Sequence, residues 1–168
     1  PKELVLERLR PILASDRLCI MHNAQYDMRV ISHETGMGPI PRIYDTMIAS
    51  WLVDPEGEHG LKPLVKKYLD YDMTVLEDIA PKEKHPTVPR RHVYHTELVP
   101  VETMGYYAID DATKPFLLHE IFVEKIRKMG LEKLYYELEM PFVKVLYRME
   151  MAGVKIDRER LLAAAEAA

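Results

Sequence analysis

The sequence contains a single cysteine, Cys19, which has no partner for an internal disulfide, so a disulfide-stapled secreted scaffold is excluded. No apolar run approaches the roughly 20 residues a membrane-spanning helix needs, and the first residues lack the basic-then-apolar pattern of a signal peptide. A net charge of −4 argues against a strongly basic, duplex-gripping surface. It leaves local contacts, or contacts through bound metal ions, as routes to nucleic acid. No internal repeat is present. What remains is ordinary: 168 residues, 48% hydrophobic and 30% charged, suffice for one domain with its own core. The expectation is a soluble, cytoplasmic protein with no membrane partner and no small-molecule cofactor. The chain begins at Pro1 rather than methionine, and its last residues, from Leu161 to Ala168, form a helical pattern with no stop signal; it reads as a piece of a longer protein.

Taken in order, Leu4, Val5, Leu9, Ile12 and Leu13 fall at helical spacing and predict an amphipathic helix over 2–14 that packs on something and kinks at Pro11. Arg17 to His22 reads as a short buried strand, with Asn23 as N-cap of a helix from Ala24 to about Glu34 that Gly36 and Gly38 close. Arg42 to Asp45 reads as a second strand, Thr46 to Val53 as an apolar helix, and Gly60 to Leu69 as another helix with Pro63 in its first turn. This alternation favours parallel strands with helical crossovers. Pro81 to Pro100, with four prolines, three histidines and four Lys/Arg, predicts a long surface loop. A long helix then runs to about Met129, split or kinked near Ala112 to Lys114 by Pro115, and Leu131 to Met151 is helical again; Asp157 caps a last helix.

Chemistry is expected in two stretches. Asn23-x-x-Tyr26-Asp27 follows an apolar run and opens a helix, which places it at the carboxyl end of a strand, where open α/β sheets gather ligands. Tyr107 and Asp111 stand four apart in a helical pattern, on one face. Two lone carboxylates on separate elements, each with a polar helper, suggest a divalent-metal site rather than a nucleophile. Each stretch also has a bland explanation: Asn23 merely caps, Asp27 is a first-turn carboxylate favoured by the helix dipole, and Tyr107 half-covers a solvated aspartate.

The two stretches in this order, with Tyr44-Asp45-Thr46-Met47 between them, resemble the proofreading 3′→5′ exonuclease domain of family A DNA polymerases, the polymerase I kind. The segment from Asn23 to Asp27 is similar to that family's second exonuclease motif, and the one from Tyr107 to Asp111 to its third. Leu61 to Leu69 and Val99 to Glu102 match further. The tail, Glu137 to Val143 and Arg148 to Asp157, resembles the join into the polymerase domain, a continuation that ribonuclease D-like enzymes lack. The resemblance implies an α/β, helix-rich, ribonuclease H-like exonuclease fold over residues 1–130, lacking its N-terminal strands, and a helical connector into the polymerase domain over 131–168. It also implies hydrolysis with two Mg²⁺ or Mn²⁺ ions, releasing nucleoside 5′-monophosphates from single-stranded DNA 3′ ends. Asp27 and Asp111 would be metal ligands and Tyr107 would orient water, while Asn23, Tyr26 and Leu76 would meet the DNA strand.

One departure stands against this. The family's first motif, Asp-x-Glu on a strand, lies well upstream of the second, and only a helix and a strand precede Asn23. Asp54-Pro55-Glu56 and Asp157-Arg158-Glu159 fit the pattern but follow Asn23, and both are rejected. The alternative is therefore a degenerate module that binds single-stranded DNA or spaces the polymerase domain without catalysis. His85, His92 and His95 read as solvated rather than ligating, and Lys82, Lys84, Arg90 and Arg91 as a solvated face. Tyr71, Tyr94 and Tyr106 are candidate stacking platforms with core or surface packing as the commoner outcome.

Overall fold

The computed structural model describes residues 2–86, 88 and 91–166; Arg90 and the chain ends Pro1 and Ala167-Ala168, named above, lie outside the described residues. Lys2–Leu13 is helix α1, and it runs through Pro11. Its apolar stripe is not buried as expected. Leu4, Val5, Leu9 and Ile12 are exposed, and only Leu13 packs against the core. Polar ties hold it instead: an ion pair from Lys2 to Glu34, and the Arg10 guanidinium donating to the Thr35 carbonyl at 2.8 Å.

Strands β1 (Cys19–Met21) and β2 (Ile43–Asp45) pair in parallel, Cys19 opposite Ile43 and Met21 opposite Asp45. β1 is shorter than expected and only half-buried, since β2 is its one partner among the described residues; β2 is buried throughout. Helix α2 (Ala24–Thr35) makes the crossover that parallel strands require. It ends where Gly36, at φ 69°, takes the left-handed conformation that costs glycine nothing. Helix α3 (Thr46–Val53) follows β2 directly, and α4 (Leu61–Leu69) starts after Gly60 with Pro63 in its first turn. A short helix, α5 (Leu76–Ile79), comes next.

Residues 81–100 are more ordered than a loop. β3 (Lys82–Lys84) and β4 (His92–Tyr94) form an antiparallel pair, and a 3₁₀ turn follows at Thr96–Leu98. The sequence hid this because β3 is Lys-Glu-Lys, exposed at every position, so no apolar alternation marks it. Pro81 and Pro86 flank the strand rather than interrupt it.

Helix α6 is unbroken from Val101 to Lys128. Pro115 was expected to split it. Its missing N–H costs the bond that residue 115 would give the Asp111 carbonyl, and packing offsets that loss. Pro115, Leu118, Phe122 and Ile126 form one buried stripe, each large apolar side chain contributing about 1.5–3 kcal/mol. α6 lies against β1, α3 and α4.

The following helical stretch is irregular where a plain helix was expected. A π-helical segment, Leu134–Glu139, leads into α7 (Met140–Ala152). Pro141 accounts for it: without an N–H, and crowding the carbonyl four residues back, it widens the preceding turn. Tyr135, Met140, Val143 and Tyr147 join Ala24, Met28, Tyr44 and Phe122 in one hydrophobic cluster, so the stretch read as a connector shares the core of the residues before it. Beyond Gly153, the Asp157 carboxylate caps α8 (Arg158–Glu166), accepting from the Arg160 N–H at 3.1 Å. No described helix is long and apolar enough to cross a membrane.

Candidate active site

Asn23 occupies the N-cap position of α2, but its side chain does not do the capping. The residue is left-handed (φ 68°, ψ 54°), a conformation asparagine tolerates better than most. The orphan amides of α2 go to the Asp45 carboxylate: Asn23 N–H donates to Oδ1 at 3.1 Å and Ala24 N–H to Oδ2 at 2.7 Å. The exposed Asn23 side chain therefore lines a cleft of about 270 Å³ with Gln25, Tyr26, Arg29 and Glu150. Tyr26 is 54% exposed there, with the Arg29 guanidinium 5.4 Å from its ring centre.

Asp27 sits in the first turn of α2, half-buried. Burial, and then the charge of Asp45, push its carboxyl up to about 6. A carboxylate placed merely to suit the helix dipole would gain from its position; here burial and a like charge disfavour the ionised form instead. Among the described residues neither Asp27 nor Asp111 has an ion-pair partner.

Tyr107 and Asp111 share one face of α6, as their spacing predicts. Burial, then the Asp111 carboxylate beside it, raise the phenol above its ordinary pKa, so Tyr107 is a poor base at neutral pH and a hydrogen-bond donor instead. The neighbouring Asp110 is occupied: it accepts from the Tyr71 hydroxyl at 3.0 Å and pairs with Lys114 at 3.3 Å. Lys114 in turn sits 3.8 Å from the Tyr71 ring centre, which makes Tyr71 a structural side chain. Of the two adjacent aspartates, Asp111 is the one without an ion pair among the described residues, its hydrogen-bond partner being Tyr107.

Leu76 begins α5, half-buried, and its neighbour Glu77 accepts from the Tyr94 hydroxyl at 2.9 Å and adds to the field on Tyr107. Several residues here escape a reading of the sequence. Lys62 lies 5.2 Å from the Tyr107 ring centre. His22 is linked to Thr46 Oγ1 at 2.9 Å; burial lowers its pKa against the opposing pull of Asp45, the His59 carbonyl and Asp111. His22 thereby lies within the fields of carboxylates on β2 and α6. Trp51, half-exposed, stacks on His59 with ring centres 3.6 Å apart. Only the position of His22 beside Asn23 could have flagged any of these.

Among the described residues no group of three or more His, Cys, Asp and Glu is placed to hold a metal ion. Asp27 and Asp111 are each carboxylates without an ion-pair partner among the described residues, the oxygen chemistry that a hard cation takes. His95 is engaged elsewhere, paired with Glu97 at 2.9 Å and Glu83 at 3.5 Å. A larger cavity of about 690 Å³, bordered by Arg42, Tyr136, Lys144 and Arg148, lies at the amino ends of the strands, opposite Asn23 and Asp45.

Comparison with known proteins places the chain in a family. The family profile described as 3′-5′ exonuclease matches residues 2–127. DNA polymerase I of Borreliella burgdorferi is 31% identical over 160 residues, covering 95% of this chain and 16% of the polymerase. The DNA polymerase of Escherichia phage T5 is 32% identical over 173 residues, 95% of this chain and 20% of its own length. The chain thus spans a fifth or less of these relatives. In fold it is similar to Brucella melitensis NrnC, with a TM-score of 0.65 and 22% identity over 86% of this chain and 64% of the other. The helix-rich α/β chain therefore belongs to the 3′-5′ exonuclease family, in the form shared with DNA polymerase I.

Proposed function

We propose that this chain is the editing module of a DNA polymerase, removing nucleotides from single-stranded 3′ ends as nucleoside 5′-monophosphates. One observation carries the reading. Asp45 takes over the capping of α2, which leaves Asn23 and Asp27, at the carboxyl end of β1, without structural work. Asn23 is instead presented to a cleft, and Asp27, half-buried one turn on, has no ion-pair partner among the described residues.

In this reading Asp27 and Asp111 hold the divalent ions, Mg²⁺ or Mn²⁺, with further oxygen ligands from outside this stretch of sequence. Such ions, when bound, supply a water of lowered pKa and charge opposite the phosphate. The chain's own residues bind and orient. Tyr107, kept protonated and hydrogen-bonded to Asp111, would orient the attacking water. The Asn23 amide and the Tyr26 ring bear on the terminal nucleotide, and Leu76 flanks the strand's path. Lys62, beside Tyr107, suits a phosphate oxygen.

The test is Asp111→Ala in the full-length protein, with hydrolysis of a 3′-labelled single strand and nucleotide addition measured side by side. Hydrolysis should disappear and addition should persist, because the carboxylate serves a metal and not the fold. Retained hydrolysis would count against the assignment. A second reading, a non-catalytic module that binds single strands, draws on the absence of a three-ligand cluster among the described residues. It predicts metal-independent strand binding and no hydrolysis by the wild type.

A further inference from the structure

Asp45 does more than its place in the chain requires. As the residue between β2 and α3 it caps α3 in the ordinary way, Oδ1 accepting from Met47 N–H at 2.9 Å and from Ile48 N–H at 3.4 Å. An aspartate serving one helix would stop there. The same carboxylate also takes the first amides of α2, and the bond to Ala24 is the shortest of the four. One side chain, 1% exposed, therefore joins the amino ends of two helices. Its own backbone is fixed as well: its N–H donates to the Tyr135 hydroxyl at 2.8 Å, and that hydroxyl donates to its carbonyl at 3.1 Å. Tyr135 thus occupies the edge of β2 as a neighbouring strand would.

We infer that Asp45 is a positioning residue of the exonuclease site, and that Tyr135 holds it in place. The inference rests on the exonuclease reading above. Three residues of that site, Asn23, Tyr26 and Asp27, ride on the first turn of α2 and inherit its position from the Asn23–Ala24 peptide. Asp45 grips that peptide from β2. The left-handed turn at Asn23 gives the chain a sharp change of direction with no side-chain cap of its own, so nothing local replaces the grip if it is lost. Through Tyr135, the helical stretch that follows α6 reaches the same peptide in two steps.

Two substitutions separate this role from plain capping. Asp45→Asn keeps size and one acceptor oxygen. With that oxygen in the Oδ1 position, the α3 amides remain satisfied, while the new NH₂ faces the Ala24 N–H, donor against donor. Asp45→Ser keeps an N-cap for α3 and is too short to serve α2. Both variants should retain the fold, reported by nucleotide addition and circular dichroism of the full-length protein. Asp45→Asn should keep the bond from Asn23 N–H and lose the shorter one from Ala24 N–H, while Asp45→Ser should lose both.

The assay is release of mononucleotides from a 3′-labelled single strand with Mg²⁺, analysed for kcat and KM. A displacement of about 1 Å at a reacting centre costs on the order of a hundredfold. The expected result is a fall in kcat of about 10- to 100-fold in both variants with KM changed less than about threefold, since Leu76 and Lys62 keep their places while Asn23 and Tyr26 shift with Asp27. Loss of amide-exchange protection at Ala24 should accompany it. If the wild type hydrolyses the strand and both variants stay within twofold of its kcat, Asp45 is only a cap and the inference is overturned while the exonuclease reading stands. If the wild type itself hydrolyses nothing, the exonuclease reading falls and takes this inference with it. Should either aspartate variant fail to fold, Tyr135→Phe decides. It keeps the ring in the core and removes both bonds to Asp45. A drop in kcat of about threefold or more at unchanged KM supports the positioning role, and an unchanged kcat refutes it.

Discussion

Asp27 bears the clearest energetic mark of any side chain in the site. Its carboxyl titrates at about 6, against about 3.9 for an aspartate in an unfolded chain. Between those values the folded state keeps a proton that the unfolded state has released, so stability falls as pH rises through this window. The contribution is whole below about pH 4 and lost above about pH 6. Without divalent metal, Asp27→Asn is expected to raise the thermal midpoint near neutral pH and to leave it unchanged near pH 4; scans at the two pH values check this. A variant less stable than wild type at neutral pH would mean that the carboxylate has a partner after all. Tyr107→Phe belongs at the same scale. It removes one hydrogen bond, worth about 0.5–1.5 kcal/mol, so hydrolysis by the full-length protein should slow by roughly 2- to 10-fold. That is far milder than Asp111→Ala, and equal losses in the two variants would assign Tyr107 a larger part than donor.

Among the helices, apolar spacing predicts an amphipathic element well and its burial poorly. α1 and α6 both carry apolar stripes, yet Leu4 and Val5 of α1 are about half exposed while Leu118 and Phe122 of α6 are fully buried. Phe122→Ala should therefore cost about 3–5 kcal/mol, and Leu4→Ser no more than about 0.5 kcal/mol, by denaturant titration. The contrast also explains which elements were legible. α2 ends and α4 begins on local signals, Gly36 and Gly60, so those limits followed from the sequence, whereas the first amides of α2 are satisfied from β2. The course of α6 through Pro115 and the widened turn before Pro141 depend on what packs around them. β3 was invisible because its residues are all charged and exposed, with no apolar alternation to mark a strand.

For the molecule as a whole, the candidate site divides along the same line. Asn23, Asp27, Tyr107 and Asp111 enter the proposed site on motif spacing along a helix, which is a local property. The function of Asp45 could not, since its bonds to Asn23 and Ala24 span more than 20 residues and need both strands in register. The count of ligands is a whole-molecule property too. Asp27 and Asp111 are two carboxylates, whereas a pair of divalent ions held in register with a phosphate needs more oxygen donors than two side chains offer. Assayed by itself with Mg²⁺ or Mn²⁺, the 168-residue chain is accordingly expected to release mononucleotides at least about a hundredfold more slowly than the full-length protein. The comparison is made on one 3′-labelled single strand, with a third sample extended upstream. Recovery on extension would locate the remaining ligands before Pro1. Robust release by the short chain, abolished by Asp27→Ala, would show instead that residues within it complete the metal site, with His22, which already feels Asp111, the first to substitute.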